Sequence, residues 1–429
     1  MEDAVSGCVR REAKERPDLL DASSPEGLSV VQITTAPEFG HSHVYMESPV
    51  FTPDSKRFIF MRLRNAEERN ARKLQRDYFL CDIDDDFALR RLTDEPGASA
   101  PAVPRDGGCA YYIVDASAPG HAKSDVRLKR VRLDSFKRET LAVIDSPLPD
   151  CRAMPSRVYA LASISPDGRR LCTSAFLGDG RTENAPWALL VFDLESARVQ
   201  IALSGEEYCN MHPQYCRSEE AARDILVQHN HDSRCDERGN IVKLVGGSGA
   251  DVHVIRDDGN DFRDMPWGRD GLEFCQGHQC WRGRMRSAVS SMDAHPDHHL
   301  PLVESLPMRC SEHHLGKRLS GAMRNVITRD VELPAFCHFA FDPTGTKFVS
   351  DTYIKEDLRG RGGLFIGSLD PAPGAALRLR HLLFPRSSWQ HGQQSHPHPF
   401  LSPDGTKAFF NSDESGQPQI YMIRGFEYP

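Results

Sequence analysis

One short phrase recurs along this chain and limits its possible folds more than anything else in it. In full form it reads Ser-Pro-Asp-Gly, as in Ile164-Ser165-Pro166-Asp167-Gly168-Arg169 and Leu401-Ser402-Pro403-Asp404-Gly405-Thr406. Proline presets the turn, aspartate binds the backbone beyond it, and glycine takes the positive φ. A run rich in Phe, Ile, Val or Leu follows, so each copy predicts a strand, a tight turn and a second strand. Looser copies are Ser48–Phe60, Pro101–Val114, His212–Gln228, Gly277–Ser290 and Cys337–Ser350. The copies start near residues 48, 101, 160, 212, 277, 337 and 396, at intervals of roughly 50–65 residues. The fourth and fifth have lost the turn phrase, with Cys216-Arg217 and Trp281-Arg282-Gly283-Arg284 in its place.

Repeats of this length, with about four strands each, predict an all-β chain in the form of a seven-bladed β-propeller. After the last copy only Gln419–Arg424 remains as a strand, which leaves that blade one strand short. Leu28–Thr35 is β-branched and resembles the blade-ending segment Ala88–Gly97, so it is the natural filler. An N-terminal strand completing the last blade removes the open edges. The expected organisation is a loose, charged extension over 1–27 and a propeller over 28–429. A solvated insertion over about 290–326 holds His295, His298, His299, His313 and His314.

Composition narrows the function classes. The formal charge of −8 argues against nucleic acid or an anionic membrane as partner. No stretch approaches the ~18 apolar residues of a membrane span, and the polar N-terminus lacks a secretory apolar region. Twelve cysteines without CxxC pairs predict reduced thiols and a cytoplasmic protein. Oligomeric state is left open.

The chemistry-bearing residues gather around the first strand of each repeat. His41 and His43 precede the first copy, His212 opens the fourth, His278 lies in the fifth, and His338 in the sixth. The seventh opens on His391, Gln393, His396 and His398, four groups able to bind a metal. His396 and His398 are two residues apart, so on a strand both imidazoles face the same way.

These segments resemble those of the oligogalacturonate lyases, seven-bladed propellers that cleave pectin fragments. The resemblance runs from Leu28 to Tyr428. It rests on Gly40-His41-Ser42-His43, His212-Pro213-Gln214, Gly277-His278-Gln279-Cys280-Trp281, His338-Phe339 and Gln393-x-x-His396-x-His398-Pro399. It implies a divalent metal, most simply Mn²⁺, held by His338, Gln393, His396 and His398, with His278 as the catalytic base. It also implies an acidic oligosaccharide substrate, cut by β-elimination to a 4,5-unsaturated uronate. His41, His43, His212, Trp281 and Arg282 are candidate substrate contacts. The family's arginine before the base segment is missing from Gly246–His253, where His253 is a weak catalytic substitute. Its His-Glu-Gly-Pro-Trp segment is replaced by Gln228-His229-Asn230-His231-Asp232. Two other readings use the same frame: a metal enzyme for another acidic sugar, and a non-catalytic interaction propeller of the TolB or WD40 kind.

Overall fold

The turn phrase does what its composition predicts. In the third copy Ser165 Oγ donates to Asp167 Oδ1 at 2.5 Å, and the Gly168 N–H closes on the Ser165 carbonyl at 2.8 Å. The Asp167 carboxylate also accepts the Arg169 N–H at 3.0 Å, and Gly168 sits at φ 71°. Ser402, Asp404, Thr406 and Gly405 repeat the same bonds in the seventh copy. The first copy builds the turn on Thr52, Asp54 and Ser55, with Ser55 holding φ 62° where its siblings have glycine.

The computed structural model describes residues 10–65, 75–117, 124–148, 154–246, 249–267, 273–294, 301–309, 324–331, 336–352, 362–390 and 392–429. His391 and all five histidines of the expected insertion lie outside the described residues. No helix among the described residues is long and apolar enough to cross a membrane. None of the nine described cysteines forms a disulfide.

The chain divides into two compact units, one of Met1–Glu95, His299–Leu302 and Val326–Pro429, the other of Pro96–His298 and Val303–Asn325. The first unit carries three antiparallel sheets. One is Gly40–His43, Arg57–Leu63, Arg76–Asp82 and Ala88–Arg91; another is Phe336–Phe341, Lys347–Thr352, Leu364–Ser368 and Arg378–Leu383. The third is Phe400–Leu401, Lys407–Ser412 and Gln419–Arg424, and Ser29–Gln32 adds to it by pairing with Gln419–Arg424. That pairing is the expected completion of the last blade by an N-terminal strand. A single apolar core joins the three sheets, with Phe58, Phe60, Phe409, Phe410, Ile366 and Tyr421 excluded from water.

The second unit carries the other four blades. Two are complete four-stranded sheets, Ala98–Ala102 to Arg138–Ile144 and Ala162–Ile164 to Val199–Gly205. The next two begin at Gln214–Tyr215 and Glu273–Trp281 and are linked where Ala250 pairs with Cys275. Seven such sheets make this chain a seven-bladed β-propeller.

Two boundaries differ from expectation. The N-terminal extension is not loose from Arg10 onward. Lys14–Glu15 adds a strand beside Ser29–Gln32, Leu19 is buried in the core, and Arg16 pairs with Glu414 at 2.5 Å. A charged stretch with one buried leucine and one buried arginine reads as solvated, because its partners are almost 400 residues away. The 290–326 segment is likewise not one loop, since Ala288–Ala294, Leu302–Ser305 and Arg324–Val326 are strands of the fifth blade. Short strands separated by histidine-rich stretches leave no period long enough to read.

Candidate metal centre

In the sixth blade the first strand carries a β-bulge. Phe336 pairs with Thr352 and Phe339 with Ser350, so Cys337 and His338 stand against the single residue Asp351. His338 is thereby turned onto a carboxylate: its backbone N–H reaches Asp351 Oδ1 at 2.7 Å and its ring Nδ1 reaches Oδ2 at 2.9 Å. Donation from Nδ1 puts the lone pair of the neutral imidazole on Nε2, the state a metal ligand needs.

The seventh blade supplies the other two imidazoles. A single turn of 3₁₀ helix, Gly392–Ser395, leads into His396-Pro397-His398. The chain is pinned there by Asn411, whose N–H donates to the Pro397 carbonyl at 2.8 Å and whose amide reaches the His396 carbonyl at 3.3 Å. His398 is held at φ 42°, a conformation that costs a non-glycine residue roughly 1–3 kcal/mol and collects at functional sites. One ligating atom from each of His338, His396 and His398 lies within 4.8 Å of the others. The His338 and His398 rings stand edge to face at 4.1 Å, and Trp389 lies against His396 at 4.4 Å.

Burial sets the charge states. Asp351 is fully buried, and its pKa is raised to about 7 chiefly by loss of water; the N–H groups of His338 and His398 work against that rise. His396 is pushed down to about 4, first by burial and then by the His338 charge, so it stays neutral. Its Nδ1 is buried and meets no hydrogen-bond partner among the described residues. An orphaned imidazole nitrogen inside a protein is costly, and a cation at that point would satisfy it. Three imidazoles around one point, one with an orphaned nitrogen and one oriented by a carboxylate, fit a divalent metal.

Gln393 lies in the 3₁₀ turn and is exposed, with its carbonyl accepting the His396 N–H at 3.3 Å. His278 lies in the second unit, half-buried, in a bulge between Cys275 and Gln279. His253 is buried and bonded through Nδ1 to Asp264 at 2.7 Å. His212 is buried and stands edge-on to Tyr159.

Four candidate substrate contacts are core residues instead. His41 is fully buried between Gln419 at 2.9 Å and the Arg62 Nε–H at 2.8 Å, and burial with the Arg62 charge lowers its pKa to about 3. His43 is buried and stacked on Phe400 at 3.5 Å. Trp281 donates its indole N–H to the Gln214 carbonyl at 2.9 Å. Arg282, 1 % exposed, is paired with Glu304 at 3.0 Å, and Ser287 donates to the same carboxylate at 2.6 Å. Polar residue types near a motif read as surface groups, yet here each is enclosed and satisfied or stacked. Sequence reasoning missed Asp351, whose only signal is an acidic residue within the strand Lys347–Thr352.

No protein-family model matches the chain, and no curated protein matches it in sequence. Solved structures do match in fold. An oligogalacturonate lyase in complex with manganese superposes with TM-score 0.66 at 17% identity, covering 98% of this chain and 96% of that one. Oligogalacturonate lyase from Vibrio parahaemolyticus superposes with TM-score 0.68 at 16% identity, covering 98% and 99%. Over nearly its whole length, then, this chain has the fold of the oligogalacturonate lyases that its motifs resemble.

Proposed function

We propose that this protein is a metal-dependent lyase that cleaves short oligogalacturonides by β-elimination. The observation that carries the reading is the convergence of His338, His396 and His398 from two blades, with Asp351 orienting the first. A scaffold for protein contacts has no use for three imidazoles, two of them buried, around one point. The fold likeness to two oligogalacturonate lyases, one of them in complex with manganese, supports the same class.

His338, His396 and His398 would hold the ion, and Gln393 is the fourth ligand that the motif implies. A divalent cation, Mn²⁺ on the resemblance, supplies a positive charge that neutralises a uronate carboxylate and makes the neighbouring C5 proton acidic. Neutral imidazoles leave that charge undiminished, which three carboxylate ligands would not. Asp351 fixes the His338 tautomer and takes no part in bond making. His278 is the base that the motif assigns. In the elimination the C5–H pair becomes the C4–C5 double bond, the C4–O bond breaks, and the departing oxygen takes a proton. A histidine starts near the pKa that such a base requires.

The test is elimination on di- and trigalacturonate by chelator-stripped protein with Mn²⁺ restored, followed through the absorbance of the unsaturated product. Metal-dependent product formation that disappears in His396→Ala/His398→Ala supports the lyase. Stoichiometric metal binding without product assigns the same centre to another acidic sugar. Wild-type protein that binds no metal overturns the reading in favour of an interaction propeller.

A further inference from the structure

A second cluster of imidazoles and carboxylates is built into the fourth blade. Strands Asp224–Asn230 and Ala250–Arg256 run antiparallel, with His229 opposite Asp251 and Val227 opposite His253. Opposed residues share a face, as do residues two apart, so His229, Asp251 and His253 lie on one side of the sheet. The preceding segment is tied alongside. Asn230 N–H donates to the Glu207 carbonyl at 2.9 Å, Gln228 N–H to the Met211 carbonyl at 2.7 Å, and the Asn230 amide to the Cys209 carbonyl at 2.5 Å.

That frame aims Glu207 at two imidazoles. Its Oε1 is held by the Asp232 N–H at 2.8 Å. Its Oε2 lies 3.0 Å from His229 Nε2 and 3.6 Å from His231 Nδ1. His231 turns its other nitrogen, Nε2, to Asp251 Oδ2 at 2.8 Å. A neutral imidazole has one N–H, and with that proton given to Asp251 the Nδ1 lone pair faces the Glu207 carboxylate. A cation at the point these two groups share would bind both. Burial first, and then His231 and His253, lowers the His229 pKa. The three ligating atoms lie within 4.8 Å of one another, and Glu207 Oε2 stands 3.0 Å and 3.6 Å from the two imidazoles.

His253 adds an independent observation. It is 5 % exposed, its Nδ1 is bonded to Asp264, and its Nε2 is buried without a hydrogen-bond partner. Its ring stands 5.6 Å from that of His229, and Tyr208 stacks on His229 at 4.6 Å. An imidazole oriented through one nitrogen by a carboxylate, with its other nitrogen available, has the arrangement of a metal-ligating histidine.

We propose that Glu207, His229 and His231 form a second metal site, selective for a first-row divalent transition ion such as Zn²⁺. Asp251 acts as the positioning carboxylate of His231. Two imidazoles and one carboxylate with water completing the shell suit Zn²⁺ and its neighbours better than Ca²⁺ or Mg²⁺. Glu207, His229 and His231 are all partly exposed, so an ion can enter from solvent. The assignment does not depend on the lyase reading.

The experiment uses full-length His396→Ala/His398→Ala protein, which takes the first centre out of the measurement. After chelator treatment it is dialysed against Zn²⁺, and against Co²⁺ for its visible bands. One ion per chain is expected. Adding His231→Ala should abolish it, and Asp251→Asn should weaken it about 10–100-fold, with unchanged circular dichroism. No ion bound by the parent, or undiminished binding in a folded His231→Ala variant, overturns the proposal. So does a Glu207→Gln variant that binds as the parent does.

Discussion

Asp351 grips His338 twice, through the backbone N–H at 2.7 Å and the ring Nδ1 at 2.9 Å, and it also takes the backbone N–H of His398. One buried carboxylate thus positions two imidazoles that belong to different blades. A neutral amide in its place keeps the shape and loses the tautomer control. Asp351→Asn is therefore expected to lower metal affinity about 10–100-fold with the fold intact. Equilibrium dialysis with Mn²⁺ checks it, and unchanged affinity would remove Asp351 from the site.

Arg282 separates a substrate clamp from a structural ion pair. Its guanidinium is buried against Glu304, which Ser287 also bonds. Removing one partner leaves a buried charge uncompensated, at a cost of roughly 3–5 kcal/mol. Arg282→Ala should lower the Tm sharply while sparing KM in whatever activity survives, and Arg282→Ala/Glu304→Ala should recover part of the loss. A raised KM at constant Tm would restore the role read from the sequence.

Acid should destabilise the chelator-treated protein. Folding lowers the pKa of His41 from 6.5 to about 3 and that of His396 from 6.5 to about 4. Between those values the unfolded chain binds more protons, so their contribution is present above pH 6.5 and is lost as pH falls through 4 to 3. Asp351 acts the other way. Its pKa rises from 3.8 to about 7, so its contribution is present below pH 3.8 and lost as pH climbs through 7. Two histidines against one carboxylate give a Tm that falls from pH 6.5 to 4, and a His41→Gln variant should show a shallower fall. Thermal unfolding across that range decides it.

Blade completion is testable at Ser29–Gln32. Without this strand the Gln419–Arg424 edge loses its ladder and stands open to other chains. Deleting residues 28–33 should convert the protein to aggregates that bind a hydrophobic dye, as light scattering would report. A deletion variant that remains monomeric would mean another segment covers the edge.

Much of the frame could be read before any coordinates, because Pro-Asp-Gly turns act through local chemistry that survives in any context. The completing strand was legible for the same reason, since Val30 and Val31 sit in a β-branched run that echoes Ala88–Gly97. Burial was not legible. Trp281, Arg282, His41 and His43 carry residue types common at binding surfaces, and only the packing of neighbouring strands encloses them. The two carboxylates that organise the imidazole clusters, Asp351 and Glu207, were missed because each meets its histidines through strand register or a distant turn. His338 with His396 and His398 shows the opposite case, in which the motif named residues that the fold brings together.

The bulge beneath His338 has siblings. Ser99 to Ala102 carries one extra residue against Ile113 and Tyr111, and Cys275 to Gln279 carries two against Met292 and Ser290. In the second blade the extra positions are filled by Ala100, at φ 52°, and Pro101, which have no ligating atoms. The same kind of kink thus recurs in the first strands of the second, fifth and sixth blades. Chemistry could then be gained or moved by changing a side chain at an existing berth, with the backbone already bent to receive it. Ala100→His would ask whether the vacant berth still accepts a tenant.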